Sequence, residues 1–272
     1  MSAKFFLGPG GNCITAPDSK TETSFRHLRK LGLNAQEIEF VQSVFLKPPA
    51  AKQLGELAAG LGLRLSIHGS YYVNFSSEEK AKREASKKRI LGACKIGELL
   101  GVKIVLFHPG YRGKLSSGQC LELIVDACEK MAGETSVLIG LETAGKKSGW
   151  GTLPEILEAC KRVKQCRPVV DWAHIYAVNG GKIDYAEILD ELIKHKVRDL
   201  HSHFEGIEFG EGGERHHLPI SSQAPPFAPL ARELAKRKNQ FDSVTIISES
   251  PVLEKDSLVM KKELEKHGVK IQ

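Results

Sequence analysis

Short apolar runs that are typical of buried β-strands alternate with longer amphipathic segments along the chain. Runs such as VKIVLF and SVLIGL are apolar at successive positions, as in strands that are covered on both faces. Eight such runs predict strands, at residues 4–8, 36–41, 63–68, 102–108, 136–142, 167–171, 198–203 and 244–249. The segments between them carry apolar residues every three or four positions and predict helices, for example at residues 78–100, 118–132 and 184–195.

This alternation predicts a parallel sheet, because parallel neighbours need long crossover connections. Eight strand–helix units in a chain of 272 residues favour the α/β class and a (β/α)₈ TIM barrel, which typically needs about 250 residues. An open doubly wound sheet is the alternative arrangement of the same units. We expect residues 1–272 to form a single TIM-barrel domain.

Composition and charge narrow the class of protein further. Hydrophobic residues make up 41% of the chain, enough for a large core, yet no apolar run has the length of a signal peptide or a membrane span. The six cysteines include no CxxC pair; their even number could mean disulfides, but for a chain of this length without a secretory leader we expect free thiols and a cytoplasmic location. The net charge of +6 and the basic run at residues 80–89 suit an anionic partner such as nucleic acid, although many small-molecule enzymes share these features. We expect a monomer without membrane association.

Most of the predicted strands end in a side chain that can bind a metal ion. These residues are His68, His108, Glu142, Asp171, His201, His203 and Glu249. The carboxyl ends of barrel strands converge, so these side chains are expected to share one volume. Clustered carboxylates repel one another unless a cation offsets their charge, and imidazole with carboxylate is the donor mix of Zn²⁺, Mn²⁺ or Fe²⁺. The pattern therefore predicts a metal site.

Two further motifs add donors to this site. In DWAHIY, Asp171 and His174 lie three residues apart just after a strand, where a tight turn can direct both to one place. In GERHHLP, Glu214, His216 and His217 follow a Gly-rich stretch that can bend toward the barrel mouth. Zinc usually takes about four protein ligands, so this number of donors predicts two or three ions.

In six motifs the chain resembles the endonuclease IV family, the metal-dependent apurinic/apyrimidinic endonucleases among the xylose isomerase-like TIM barrels. The motifs follow in the family's order from about Leu63 onward: IHGSYYVNF, FHPG, LETAG, DWAH, HSHFEGIEFGEGGERHH and SESP. The resemblance implies a trinuclear site, usually of zinc, with Mn²⁺ or Fe²⁺ as an alternative at one position.

The resemblance also implies three sets of ligands. One ion is expected at His68, His108 and Glu142; a second at Glu142, Asp171, His201 and Glu249; and a third at His174, Glu214 and His216. Glu214 stands where the family usually has Asp. His203 is the rival for the role of His201, because residues two apart on a strand face the same side. The catalytic carboxylates in this interpretation are Glu142 and Glu249.

The activity that the resemblance implies is hydrolysis of the phosphodiester on the 5′ side of abasic sites in DNA repair, with Tyr71 lining the lesion site. The chain departs from the DNA-kinking members at residues 42–49, which contain no Arg/Gln wedge. Two alternatives remain open at this point. One is a metal-dependent sugar isomerase or epimerase that uses Glu142 and Glu249 for acid–base chemistry. The other is a non-catalytic nucleic-acid-binding barrel that is stabilised by a structural metal.

Overall fold

The computed structural model describes residues 2–271, and its central feature is an eight-stranded parallel barrel. The strands are β1 Lys4–Pro9, β2 Ala35–Glu39, β3 Arg64–His68, β4 Ile104–Phe107, β5 Leu138–Glu142, β6 Cys166–Asp171, β7 Asp199–His203, β8 Gly206–Gly210, β9 Gly213–Leu218 and β10 Ser243–Ser248. The barrel has the strand order β1-β10-β7-β6-β5-β4-β3-β2, and β8 with β9 forms a separate hairpin. The predicted (β/α)₈ TIM barrel is confirmed.

Helices surround the barrel and follow most of its strands. They are α1 Thr21–Lys30, α2 Pro48–Leu61, α3 Lys80–Leu100, α4 Ser117–Ala132, α5 Leu153–Arg162, α6 Trp172–Val178, α7 Tyr185–Lys194, α8 Phe227–Arg237 and α9 Glu254–Lys266, with a short 3₁₀ turn at Ile220–Ser222. In α4, Ser116 and Gln119 form a capping box that satisfies free amide groups of the first turn. Cys120, Ile124 and Met131 of α4 are buried, and their spacing places them on one face of the helix.

Contacts between β1 and β2 close the barrel. The Asn34 side chain accepts a hydrogen bond from the Leu7 amide at 2.8 Å and donates one to the Phe5 carbonyl at 2.9 Å. Further along, the Gly11 amide donates to the Glu37 carbonyl at 2.9 Å. Gly8 permits this close approach, because a Cβ atom at this position would lie 1.7 Å from the Ala35 carbonyl oxygen. These contacts satisfy backbone groups that an open sheet edge would leave exposed.

The barrel interior changes from apolar to polar along the strands. Ile104, Leu106 and Val169 form a small buried cluster inside the barrel. The alternate positions, such as Val105 and Phe107, face the helices and join the large core. Burying a side chain of this size contributes about 1.5–3 kcal/mol. The apolar frame therefore holds the strand ends rigidly, and the polar groups described below lie at those ends.

The β8–β9 hairpin lies at the mouth of the barrel and is not predicted by the sequence pattern. It is seated on α6, where Ile207 packs with Ala173 and Ala177 and the Phe209 ring meets Tyr176 edge-on at 5.5 Å. Its outer positions are polar, so the segment has no continuous apolar run. Among the helices described for residues 2–271, none combines the length and the hydropathy that crossing a membrane requires.

Candidate metal centre

Glu142, the last residue of β5, lies at the centre of the polar mouth and is fully buried. One of its oxygens, Oε2, is 3.1 Å from His68 Nε2 and 3.5 Å from His108 Nε2. The other, Oε1, is 3.0 Å from His203 Nδ1. His68, His108 and Glu142 offer ligand atoms within 4.8 Å of one another. The structure thus brings together the three residues that were expected to hold one ion.

Asp171 and His174 lie in one tight turn, in the arrangement that the DWAH motif suggested. Asp171 ends β6 and caps α6, because its Oδ1 accepts a hydrogen bond from the His174 amide at 2.8 Å. The His174 ring is oriented by its Nδ1, which is 3.0 Å from the Thr143 carbonyl oxygen. Its Nε2 is directed toward the cluster and is 3.6 Å from Glu214 Oε2. Both side chains are buried.

The two histidines of β7 both point into the barrel but lie at different depths. His203 Nδ1 is 3.2 Å from Glu249 Oε1 and 3.0 Å from Glu142, so His203 lies in the central layer. His201 lies deeper, where its Nε2 is 3.1 Å from Glu37 Oε2. The set Glu142, Asp171, His203 and Glu249 offers ligand atoms within 4.8 Å of one another. His203 therefore stands where His201 was expected from the sequence.

The hairpin contributes Glu214 and His217, whereas His216 points away. His217 Nε2 is 3.5 Å from Glu214 Oε1, and its Nδ1 is 3.2 Å from the Glu249 carbonyl oxygen. The His216 side chain is 59% exposed, and its Nε2 is 3.3 Å from Glu208 Oε2 on the outer face. The reason is an irregularity in the β8–β9 pairing near Glu208, which changes the side of the strand that each residue faces. Of the residues expected at the third ion, the structure therefore does not bring His216 to the donor groups, and His217 lies there instead.

Three carboxylates of the site were missed by the sequence analysis. Glu37 and Glu39 project from β2, and Glu205 follows β7; Glu37 and Glu205 have no solvent exposure. Glu37 contacts His201 and His203, with its Oε1 2.8 Å from His203 Nε2. A signal was present, since Glu37 and Glu39 alternate along one strand and Glu205 continues the spacing of His201 and His203. We call the complete set the donor cluster: Glu37, Glu39, His68, His108, Glu142, Asp171, His174, His201, His203, Glu205, Glu214, His217 and Glu249.

The charges of the donor cluster perturb one another strongly. Burial alone would raise the pKa of Glu142, but the imidazoles of His108 and His203 outweigh burial and hold this pKa well below its ordinary value. Burial likewise opposes a charged His68, yet its hydrogen bond to Glu142 raises the His68 pKa to about 10. Burial lowers the pKa of His108 to about 4 and raises that of Glu39 to about 8. Without a metal, protons on some histidines and carboxylates therefore offset part of the crowded negative charge.

The donor cluster fits divalent cations. Several of its buried polar atoms have no hydrogen-bond partner among residues 2–271, among them Asp171 Oδ2, His174 Nε2 and both oxygens of Glu205. A buried polar atom without a partner is costly, and a metal ion is one way to satisfy it. Imidazole nitrogens mixed with carboxylate oxygens suit Zn²⁺, Mn²⁺ or Fe²⁺ better than Mg²⁺ or Ca²⁺. The number and identity of the donors allow more than one ion.

A cavity of about 150 Å³ leads from the surface to the donor cluster. His68, His108, His174 and His217 form part of its floor. Its walls include Tyr71, Tyr111, Gly145 and Lys146. Gly145 keeps the floor open, because a Cβ atom there would lie 2.5 Å from Glu214 Oε2 and 2.6 Å from His174 Cδ2. Tyr71 is 67% exposed, with its ring centroid 6.0 Å from that of His68, so the predicted substrate-binding residue lies at the rim.

Sequence comparison identifies the family. The sequence profile of the xylose isomerase-like TIM barrel family matches residues 25–270, and the chain belongs to this family. An uncharacterized protein of Methanocaldococcus jannaschii is 36% identical over 272 residues, which cover 94% of this chain and 95% of that protein. An apurinic-apyrimidinic endonuclease of Caenorhabditis elegans is 28% identical over 200 residues, which cover 68% of this chain but only 49% of the nematode protein. The chain thus spans about half the length of this endonuclease.

Solved structures share the fold over nearly the whole chain. A D-tagatose 3-epimerase-like protein superposes with a TM-score of 0.73 at 21% identity, covering 97% of this chain and 96% of the other. Endonuclease IV from Thermus thermophilus superposes with a TM-score of 0.68 at 24% identity, covering 95% of this chain and 99% of the other. Proteins similar to this chain therefore include apurinic-apyrimidinic endonucleases, as the motifs suggested, and also sugar epimerases.

Proposed function

We propose that this protein is a metal-dependent phosphodiester hydrolase of the endonuclease IV type, which cleaves DNA on the 5′ side of abasic sites. The observation that carries the proposal is the donor cluster, in which five sets of histidine and carboxylate ligands lie at the mouth of the barrel and four of these sets are linked by shared residues. A single zinc ion usually takes about four protein ligands, so this number of donors exceeds what one ion can bind. The similarity to apurinic-apyrimidinic endonucleases supports the same assignment.

Each set of donors has a defined place in the proposed site. One ion would be held by His68, His108 and Glu142, and a second by Glu142, Asp171, His203 and Glu249. A third would be held at His174, Glu214 and His217. Bound divalent ions supply Lewis-acid chemistry, in that they neutralise phosphate charge and lower the pKa of water. Glu142 belongs to the first two sets, and it can serve both because one of its oxygens faces His68 and the other faces His203.

The shape of the mouth supports a polymeric substrate. The cavity of about 150 Å³ is smaller than the roughly 300–1,000 Å³ that is usual for pockets that enclose a small molecule. Most of the substrate would then remain outside the barrel and present only one group to the donors. Tyr71 and Tyr111 line the cavity with exposed rings, and the exposed Tyr72 follows Tyr71 in the chain; these aromatic rings offer stacking surfaces for bases. Lys146 lines the cavity wall and offers a cation to a phosphate.

The basic run at residues 80–89 contributes less to this surface than its composition suggests. Lys82 pairs with Glu79, and Lys87 pairs with Glu84 at 3.2 Å. Arg83 donates to the Ser77 carbonyl at 2.7 Å. Arg89 donates to the Tyr72 carbonyl at 3.3 Å, so it supports the aromatic rim. These partners make the run mainly a structural face of α3, and phosphate contacts are assigned to the rim.

A second candidate function is a metal-dependent sugar epimerase. The set Glu142, Asp171, His203 and Glu249 is sufficient for one ion, and carboxylates such as Glu249 can act in proton transfer. The similarity of fold to the D-tagatose 3-epimerase-like protein agrees with this alternative. The donors at His174, Glu214 and His217 have no evident role in it, which is why we favour the hydrolase.

The decisive experiment offers both kinds of substrate to the zinc-loaded protein. We expect a labelled duplex with one abasic analogue to be nicked on the 5′ side, an undamaged duplex to remain intact, and a panel of ketoses to remain unchanged. Binding to the abasic duplex should weaken as salt rises, with a log–log slope of about −0.9 per phosphate contacted. Turnover of a ketose without cleavage of either duplex would replace the hydrolase with the epimerase.

A variant separates cleavage from binding. Glu142→Ala should lower the nicking rate by at least about 100-fold, the scale seen when a key group that stabilises a transition state is removed. Binding of the duplex should persist, because the rim does not depend on Glu142. Glu129→Ala on the exposed face of α4 is the matched control and should nick at the wild-type rate. Equal rates for the Glu142 and Glu129 variants would contradict the proposed site.

A further inference from the structure

Glu205, in the short link between β7 and β8, is a buried carboxylate whose oxygens accept no hydrogen bond from residues 2–271. Its side chain has no solvent exposure, and neither oxygen has a hydrogen-bond partner within the part of the chain that the structure describes. An ionised carboxylate in such a position is strongly unfavourable unless a cation lies beside it. A purely structural glutamate would be expected to accept hydrogen bonds from the backbone of its own link. Glu205 therefore lacks the contacts of a structural residue.

Two histidines converge on the same space. Glu205, His174 and His217 offer ligand atoms that lie within 4.8 Å of one another. His174 Nδ1 lies 3.0 Å from the Thr143 carbonyl oxygen, and His217 Nδ1 lies 3.2 Å from that of Glu249. In each ring, Nδ1 therefore contacts a backbone carbonyl oxygen, and Nε2 faces the donor cluster. This pattern, with the outer nitrogen held by a carbonyl, is typical of histidines that bind metal ions.

We propose that Glu205 is a metal ligand, which together with His174 and His217 forms a set of two imidazoles and one carboxylate. The inference deepens the proposed function, since it rests on metal binding at this centre. The endonuclease IV resemblance implied His174, Glu214 and His216 for the corresponding ion. In this chain Glu205 supplies the inner carboxylate from the end of a barrel strand. Glu214 reaches the same histidines from the outer hairpin and is partly exposed.

The arrangement has a consequence for the hairpin. Glu205 and His174 belong to the barrel frame and α6, whereas His217 belongs to β9. An ion bound by these three residues joins the hairpin to the frame. Glu214, in contrast, is on the hairpin itself and approaches from the solvent side. Glu205 thus sets where the ion lies, and the hairpin closes over it.

The test compares Glu205→Gln with Glu208→Gln, the same substitution three residues away on the exposed face of β8. Proteins are loaded with zinc, freed of excess, and their zinc content per chain is measured together with the unfolding temperature with and without zinc. Wild type and the Glu208 variant should bind equal amounts. The Glu205 variant should bind about one ion fewer and gain less stability from zinc. In the metal-free state, its stability should stay close to that of wild type, because Gln has the same size as the buried carboxyl group, whose oxygens have no hydrogen-bond partner among residues 2–271.

Equal zinc content and equal stabilisation by zinc in the Glu205 and Glu208 variants would overturn the proposal, as would a Glu205 variant that is destabilised to the same extent with and without metal. If the Gln variant does not accumulate, a zinc anomalous map of wild-type crystals decides: an ion about 2 Å from a Glu205 oxygen supports the proposal, and no ion there overturns it. Zinc content is measured without any DNA substrate. If the Glu205 variant binds one ion fewer but the wild-type protein never nicks DNA, the proposed hydrolase activity is contradicted and the proposed metal ligand is not.

Discussion

His216 and His217 are adjacent in the chain, but their side chains point in opposite directions: His217 points into the site and His216 points to solvent. We predict that His217→Ala loses about one bound zinc per chain, because its ring faces Glu214 and the cavity. His216→Ala is the matched control and should keep the wild-type zinc content, since its exposed ring contacts Glu208 outside the site. Elemental analysis of both zinc-loaded variants makes the comparison. Loss of zinc in the His216 variant alone would restore the ligand set that the family resemblance implied.

For individual residues, the sequence predicts which residue types gather at the mouth of the barrel. It does not predict how deep each side chain lies in the barrel or which way it points. Strand alternation correctly groups His201 with His203, yet only the pairing of β7 with its neighbours shows that His203 lies beside Glu142. The choice between His216 and His217 depends on an irregularity of pairing that no pattern of residue types discloses. Glu205 could have been found, because it continues the alternation of His201 and His203.

At the scale of elements, one carboxylate joins two helices to a loop at the mouth. Glu155 in the first turn of α5 accepts hydrogen bonds from the Thr152 amide at 2.8 Å and the Gly151 amide at 3.1 Å. It also pairs with Arg112 at 3.0 Å and accepts from the Ser117 hydroxyl at the start of α4. Glu155 is part of the capping box at the start of α5, and its ion pair with Arg112 connects this helix start to the loop that carries Tyr111.

We predict that Glu155→Gln lowers the free energy of unfolding by about 1–2 kcal/mol at neutral pH, the usual scale for a cap with charge-assisted hydrogen bonds. Burial would raise the pKa of Glu155, but hydrogen bonds from Ser117 and Thr152 lower it below its ordinary value. A carboxyl whose pKa is depressed by folding stabilises above its ordinary pKa, and this contribution is lost as the pH falls through the depressed value. Denaturant unfolding should therefore show a gap between wild type and variant that is full at pH 7 and shrinks below about pH 4.

Glu158→Gln, one turn along the same helix, is the control for this prediction. Glu158 is half exposed and lies 3.9 Å from Lys161, so its substitution should change stability by less than about 0.5 kcal/mol. A Glu155 variant that matches the Glu158 variant at pH 7 would show that the cap contributes nothing measurable.

Elements differ in how well the sequence predicts them. The barrel strands were predicted because each is a short apolar run bounded by polar segments, and their ends agree to within a few residues. The β8–β9 hairpin was not, since its exposed face carries Glu208, Arg215 and His216 and interrupts any apolar pattern. Its position is set by packing of Ile207 and Phe209 on α6, which is a tertiary contact. Local patterns therefore predicted the frame but not the element that covers the site.

At the scale of the whole molecule, the barrel gathers carboxylates from strands that are far apart in sequence. Glu37 of β2, Glu142 of β5 and Glu249 after β10 all reach one buried volume. The apolar core holds the strand ends in place, so these charges cannot separate to relieve their repulsion. Folding must therefore oppose this repulsion, and part of it is offset by protonated histidines when no metal is bound. Metal binding and fold stability are consequently expected to be linked.

We predict that exhaustive chelation lowers the unfolding temperature of the zinc-loaded protein by roughly 5–10 °C for each tightly bound ion. A ligand present at 100 times its dissociation constant stabilises a fold by about 2.7 kcal/mol, and in a chain of this size each kcal/mol shifts the midpoint by roughly 2–4 °C. Calorimetry before chelation, after it, and after zinc is restored measures the effect. Restored zinc should return the original midpoint, whereas Ca²⁺ should return less of it, because the sets at His68, His108 and Glu142 and at His174, Glu205 and His217 each contain two imidazoles, which do not suit Ca²⁺. The Glu142→Ala variant should lose more of this zinc-dependent shift than Glu205→Gln, since Glu142 belongs to two donor sets and Glu205 to one. An unchanged midpoint after verified removal of all metal would mean that the fold tolerates its buried carboxylates through protonation alone, and the donor cluster would then have to be explained without resident ions.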